Sequence, residues 1–247
     1  SHAALERAFL VIGAAALALG LLGLVRLEPR HADPVGQAHQ RANWHVLLRE
    51  VLGNPEARIF FIYLILMLAA ILGQDVLLEP FAGEAFDLPV QATTRITSIW
   101  GSVFLVSLLV TGVLEGRVSK LLIARLASMV GILAFLIVAA SGFAGSQALF
   151  YLGVVLLGLA TGPATVSNLS LMLDMTIPGK VGLFIGAWGS ANAFARLLGT
   201  LVTAVIRDLV QMIPNSALTG YAAAFILLAL FLTASLVLLR RVNVQAF

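Results

Sequence analysis

The sequence predicts an all-α polytopic membrane protein, and three observations predict it. Apolar residues make up 60% of the chain and charged residues 11%, against the roughly 25% charged residues of an average soluble domain. The apolar residues fall into blocks of the length an α-helix needs to cross about 30 Å of hydrocarbon at about 1.5 Å per residue. The basic residues gather in alternate connections between those blocks.

Seven segments follow in order, at 4–26, 57–79, 93–115, 120–142, 146–173, 180–206 and 217–239. The first is preceded only by Ser1 to Arg7 and lacks the basic, apolar, small-residue order of a cleaved signal peptide, so it reads as a span. Lys and Arg are retained on the cytoplasmic side. Arg26, Arg30, Arg41, Arg49, Arg58, Arg117, Lys120, Arg125, Lys180, Arg240 and Arg241 fall on one side, and chiefly Arg7, Arg95 and Arg207 on the other. This bias places the C-terminus and the long connection at 27–56 in the cytoplasm and the first residue outside.

An odd number of spans with an outside N-terminus fits the C-terminal seven spans of a twelve-span protein built from two six-span halves, whose longest cytoplasmic connection joins the halves. On that reading 1–26 holds the last span of the first half, 27–56 is the linker, and 57–247 is the second half. Within the linker, Trp44, Leu47, Leu48, Val51 and Leu52 recur at helical spacing until Gly53 and Pro55, which predicts a short helix lying on the membrane surface.

Charged groups inside spans cost at least about 2.5–3.5 kcal/mol at mid-membrane, so each needs a partner or a task. Arg196 is the deepest, in a stretch that also holds Trp188 and Asn192. It reads either as a ligand or lipid-headgroup contact, or an interhelical switch, or as a long side chain snorkelling outward. Asp75 and Glu79 stand four apart on one predicted helix face, with Gln74 beside them and Pro80 ending the helix. Two carboxylates in low dielectric suit a proton relay, a cation site or a magnesium ligand for a tetrapyrrole, while a polar helix end facing water looks the same. An ion pair between Asp75 and Arg196 is a further expectation.

Glu115, Arg117 and Lys120 mark the turn between the third and fourth segments, where they can bridge helices and bias a rocking equilibrium, or can be a solvated charged loop. Asp174 closes the fifth segment, facing Lys180 across Pro178 and Gly179. Gly182, Gly186 and Ser190, Gly189, and then Ala191, Ala195 and Gly199 put small residues along the sixth segment, which predicts close helix packing, with a groove for a flat ligand as the lesser reading. The histidines, at 2, 31, 39 and 45, all lie outside the expected hydrocarbon core, and the chain has no cysteine. No P-loop, zinc spacing or nucleophile–base pair is found, so enzymatic function has no support. The basic residues follow topology, so nucleic-acid binding has none either.

The run Gly73-Gln74-Asp75-Val76-Leu77-Leu78-Glu79-Pro80-Phe81-Ala82-Gly83-Glu84-Ala85-Phe86 resembles the PucC/LhaA bacteriochlorophyll-delivery family, a branch of the major facilitator superfamily. So does Val181-Gly182-Leu183-Phe184-Ile185-Gly186-Ala187-Trp188-Gly189-Ser190-Ala191, which is similar to that family's Gly-Leu-x-x-Gly-x-Trp-Gly-x-Ala stretch. Phe81-Ala82 departs from the more usual Tyr-Gly. The resemblance implies a major-facilitator fold and a factor in the bacterial inner, intracytoplasmic photosynthetic membrane. Such a factor helps insert light-harvesting α and β polypeptides among the membrane lipids and load them with bacteriochlorophyll or chlorophyll. With no histidine in the spans, the magnesium of such a pigment would take Gln74, Asp75, Glu79, Asn168, Asn192, a backbone carbonyl or water, oxygen donors that suit it. Trp188, Trp100 or the phenylalanines would face the ring. Two other classes stay open: a proton-coupled secondary transporter of a small solute using Asp75 and Arg196, and a pigment-free structural subunit of a photosynthetic membrane complex.

Overall fold

The computed structural model describes residues 55–174, 176, 181–213 and 217–241, with positions 13, 14, 17, 18 and 53. The expected first span at 4–26 and the linker with its surface helix lie almost wholly outside the described residues. From Pro55 onward the chain forms α1 (Pro55–Gly73), a 3-10 turn (Gln74–Val76), α2 (Leu78–Phe86), α3 (Val90–Leu114), α4 (Lys120–Phe143), α5 (Gln147–Asp174), α6 (Val181–Gln211) and α7 (Ala217–Leu239). All regular structure among the described residues is helical, apart from one bridge between Glu115 and Val118 in a turn. In a bilayer this follows from the backbone, because a helix satisfies every internal N–H and C=O within its own segment.

Five stretches are long and apolar enough to cross a membrane: Ala57–Val76, Gln91–Leu114, Lys120–Phe143, Gln147–Asp174 and Ala217–Leu239. The protein is therefore a multi-pass α-helical membrane protein. The expected sixth segment is one helix, α6, but it runs past 206 to Gln211, carries Asn192, Arg196, Arg207 and Asp208, and is not among the five.

Neighbours pack in the order α3, α5, α4, α7, α1, α6, with α6 also against α7. Since lipid tails are as apolar as leucine, the helices associate through close packing and interhelical hydrogen bonds rather than by escape from water. The backbone approaches come from glycines. A Cβ on Gly158 would lie 2.9 Å from the Trp100 carbonyl oxygen, and one on Gly162 would lie 2.6 Å from the Leu108 nitrogen. Ser107, on the α3 side of that contact, donates from Oγ to the Gly158 carbonyl at 3.0 Å.

The short α2 is anchored by Phe81, which is fully buried. Its ring lies 5.3 Å from Phe225, 5.6 Å from Tyr221 and 5.8 Å from Phe150, centroid to centroid. Aromatic pairs at such spacing contribute about 0.5–1.5 kcal/mol each beyond their area. Asp87, at φ 50° in the left-handed region that Asp tolerates better than most residues, ends α2.

Candidate functional site

The site begins at a break in a helix. The expected second segment ran unbroken from 57 to 79 until Pro80; instead α1 stops at Gly73, the 3-10 turn follows, and Pro80 sits in the first turn of α2. There its missing N–H costs nothing, so it opens a helix rather than closing one. The break lies where α1 meets α6. A Cβ on Gly73 would stand 3.1 Å from the carbonyl carbon and oxygen of Gly199, and one on Gly199 would collide with the Ala69 carbonyl oxygen. Two glycines thus let the backbones touch and carry the 3-10 turn against the middle of α6.

Asp75 then faces Arg196. Arg196 Nη2 donates to Asp75 Oδ2 at 3.2 Å, with the arginine side chain 65% and the aspartate 37% exposed. Each charge thus has an opposite partner, which a group inside a span would need. Trp188 and Asn192 precede Arg196 by two turns and one turn along α6. Asn192 Nδ2 donates to the Trp188 carbonyl at 3.1 Å, and Trp188 is half-buried against the core. Beside this stripe Gly182, Gly186 and Gly189 are exposed, and a Cβ on any of them would meet nothing within 4 Å. Close helix packing is thus seen at Gly199, while at these three nothing among the described residues approaches, because the described helices pack against another face of α6. What they leave is an exposed stretch of small residues on α6, two to four turns before Arg196.

The other expected ligands do not join it. Asp75 and Glu79 do not share a helix face, because the 3-10 turn separates them: Glu79 Oε1 accepts from Thr97 Oγ1 on α3 at 2.6 Å. Gln74 is 1% exposed, buried in the bundle rather than facing out beside Asp75. Asn168 is also buried and spends its amide internally, accepting from the Tyr63 hydroxyl at 2.6 Å and donating to the Ala164 carbonyl at 2.6 Å. Among the described residues no three His, Cys, Asp or Glu side chains gather as a metal centre.

The far end of α3 carries a second constellation. Gly116, at φ 82°, makes the turn into α4. Glu115 accepts a hydrogen bond from Ser170 of α5, and Lys120 Nζ grips both oxygens of Asp174 at 2.7 and 2.8 Å. Arg117 is exposed. Asp174 was expected to face Lys180, which lies outside the described residues; its partner here is on α4. These contacts tie the α3–α4 turn to the end of α5.

Some contacts had no sequence signal. Tyr63 and Asn168 stand 105 residues apart and meet only in the fold. Tyr221 on α7 donates to Glu84 Oε1 on α2 at 2.9 Å, under Arg207 of α6, whose guanidinium lies 5.7 Å from the ring centre. Gly158 and Gly162 did have a signal, the same four-residue spacing of small residues that was read only in the sixth segment.

A family profile described as PUCC protein matches residues 1–247. A protein of Rhodobacter capsulatus described as lying in the puhA-bchM intergenic region is 35% identical over 60% of this chain and 31% of its own length. Protein PucC of Cereibacter sphaeroides is 26% identical over 92% of this chain and 51% of its own. The bacteriochlorophyll synthase 44.5 kDa chain of Rhodobacter capsulatus is 32% identical over 70% of this chain and 42% of its own. The chain thus spans about a third to a half of the length of these relatives. No solved structure matches it. With a family match from end to end over a helical membrane bundle, this chain belongs to the PUCC protein family.

Proposed function

We propose that this chain is part of an assembly factor for photosynthetic light-harvesting complexes. The factor binds or hands over (bacterio)chlorophyll and helps insert the antenna α and β polypeptides into the bacterial photosynthetic membrane. The observation that carries the reading is the Asp75–Arg196 pair, with the exposed glycines Gly182, Gly186 and Gly189 two to four turns before it on α6. Exposed glycines let a flat macrocycle approach the helix backbone closely, Trp188 on the same helix offers it a ring face, and a charged pair can meet its polar groups. Asp75 supplies an oxygen of the kind magnesium prefers, and Arg196 supplies donors for carbonyl or ester oxygens. Gln74, Glu79 and Asn168 fall outside this reading because each is buried or already engaged. The names of relatives, one of them tied to bacteriochlorophyll synthesis, agree with pigment as the cargo.

The test is the absorption spectrum of the full-length protein, purified in mild detergent from a pigment-producing host that lacks antenna polypeptides. The expected result is a stoichiometric, red-shifted chlorin band that falls several-fold in Asp75→Asn, Arg196→Gln and Gly186→Leu while the protein stays folded. A colourless wild-type protein overturns the pigment reading; proton-linked solute uptake lost in Asp75→Asn would replace it with a transporter.

A further inference from the structure

Arg125 lies near the start of α4, at the opposite end of that helix from Gly142, which packs against Phe81 of α2. Most of the helix therefore separates it from the end of the bundle that holds α2. The residue is part-buried, and its Nε is enclosed with no acceptor for its proton among the described residues. A guanidinium near the end of a span reaches for an anion or water at the headgroup level. Neither α4 nor α7, which packs along it, carries an Asp or Glu anywhere in its length. The other cation of α4, Lys120, is already held by both oxygens of Asp174.

The packing of α4 on α7 fixes what stands near Arg125. The two helices run in opposite directions: Gly142 lies beside Leu218, Phe135 stacks on Phe225 at 6.4 Å, and a Cβ on Gly131 would stand 2.7 Å from Leu232 Cδ1. Continued at about 1.5 Å per residue, this register brings Arg125 level with residues 235–238 of α7, within about one turn of Arg240. The chain keeps a helical turn that far, since the Arg241 N–H donates to the Leu238 carbonyl at 2.9 Å. Rotation about each axis agrees. On α4, Val138 approaches Gly153 of α5 while Phe135 and Gly142 meet α7, and Arg125 lies about a quarter turn further round, away from α5. On α7, Leu228 approaches Gly73 of α1 while Phe225 and Leu232 meet α4, and Arg240 lies about a quarter turn further round, away from α1. The two arginines thus stand on the two outward lips of one groove. Arg240 and Arg241 are exposed, and along the same flank so are Met129 and Leu136 of α4 and Ile226 and Val237 of α7.

Guanidiniums at the end of an apolar groove match an amphiphile rather than a free anion. They take phosphate oxygens in paired hydrogen bonds, and basic pockets between spans bind acidic headgroups. We propose that the α4–α7 groove holds one anionic phospholipid. Its phosphate lies between Arg125 and Arg240, with Arg241 beside them, and an acyl chain runs along Met129, Leu136, Ile226 and Val237. Such a lipid supplies the anion that neither helix offers.

Native mass spectrometry of the full-length protein in detergent, titrated with phosphatidylglycerol or with phosphatidylcholine of the same acyl chains, tests this. The wild type should retain one phosphatidylglycerol several-fold more tightly than phosphatidylcholine. Arg125→Gln and Arg240→Gln should each remove most of that preference, whereas Arg117→Gln, at an exposed arginine of the α3–α4 turn, should keep it. Arg240 is exposed and lies beyond Leu239, so Arg240→Gln keeps the test decisive even where Arg125→Gln does not fold. Equal retention of the two lipids by the wild type overturns the proposal. So does an equal loss in Arg117→Gln, the mark of diffuse surface charge, and so does displacement of the lipid by millimolar inorganic phosphate, the mark of a free-anion site.

Discussion

Replacing Gly199 with alanine adds one methyl group where the backbones of α1 and α6 meet. That Cβ would collide with the Ala69 carbonyl oxygen and lie 3.0 and 3.1 Å from the Ala69 carbonyl carbon and Cα. These are main-chain atoms of a helix, so no rotamer change relieves the contact and one helix must shift as a body. Overpacking of this kind costs about 1–3 kcal/mol. The same substitution at Gly186 or Gly182 meets open space. All three positions gain about 0.5–1 kcal/mol of helix propensity from Ala over Gly. That gain is shared, so the difference between Gly199→Ala and Gly186→Ala isolates the clash, and Gly199→Ala should be the less stable by about 1–3 kcal/mol. Denaturant-driven unfolding of the full-length protein in mixed micelles, followed by tryptophan fluorescence, measures it. The shift should also loosen the Asp75–Arg196 pair next to it. A Gly199→Ala protein at least as stable as Gly186→Ala would refute the placement of α6 against α1.

The remaining expectations concern single contacts. In a double-mutant cycle on Lys120→Ala and Asp174→Ala, this part-exposed pair should couple by about 0.3–1 kcal/mol and less at high salt; zero coupling at low salt would remove the α4–α5 tie. Tyr63→Phe leaves the buried Asn168 oxygen without its donor and should destabilise by about 0.5–2 kcal/mol, part of which Tyr63→Phe with Asn168→Leu should recover. If Tyr63→Phe unfolds at the wild-type denaturant concentration, the bond does not hold α1 to α5. Tyr221→Phe should loosen α2 and raise amide hydrogen exchange over 78–86, since it removes the link to Glu84; unchanged protection there would mean that Phe81 holds α2 alone.

Much of the fold was legible because hydropathy is a local property. A run of about twenty apolar residues has to be a helix in lipid, whatever its neighbours. The charged residues worth attention were legible for the same reason: Asp75 and Arg196 stand out against the apolar residues around them. The break at Gly73 was not. Gly-Gln-Asp-Val reads as one more turn of a helix, and it ends α1 only in the fold, where Gly73 lies against Gly199. For that reason the paired-carboxylate reading of Asp75 and Glu79 did not survive, and Gln74 changed from an expected ligand into an interior residue.

By itself the sequence determined that this is a helical membrane protein, where most of its spans lie and which family it resembles. Only the tertiary structure decided that Lys120 meets Asp174, that Tyr63 meets Asn168, and that Gly199 is packed while Gly182, Gly186 and Gly189 are open. The physical reason is that these helices are all similarly oily, so hydropathy does not choose their neighbours. The choice falls to shape and to a few polar contacts between residues far apart in the chain.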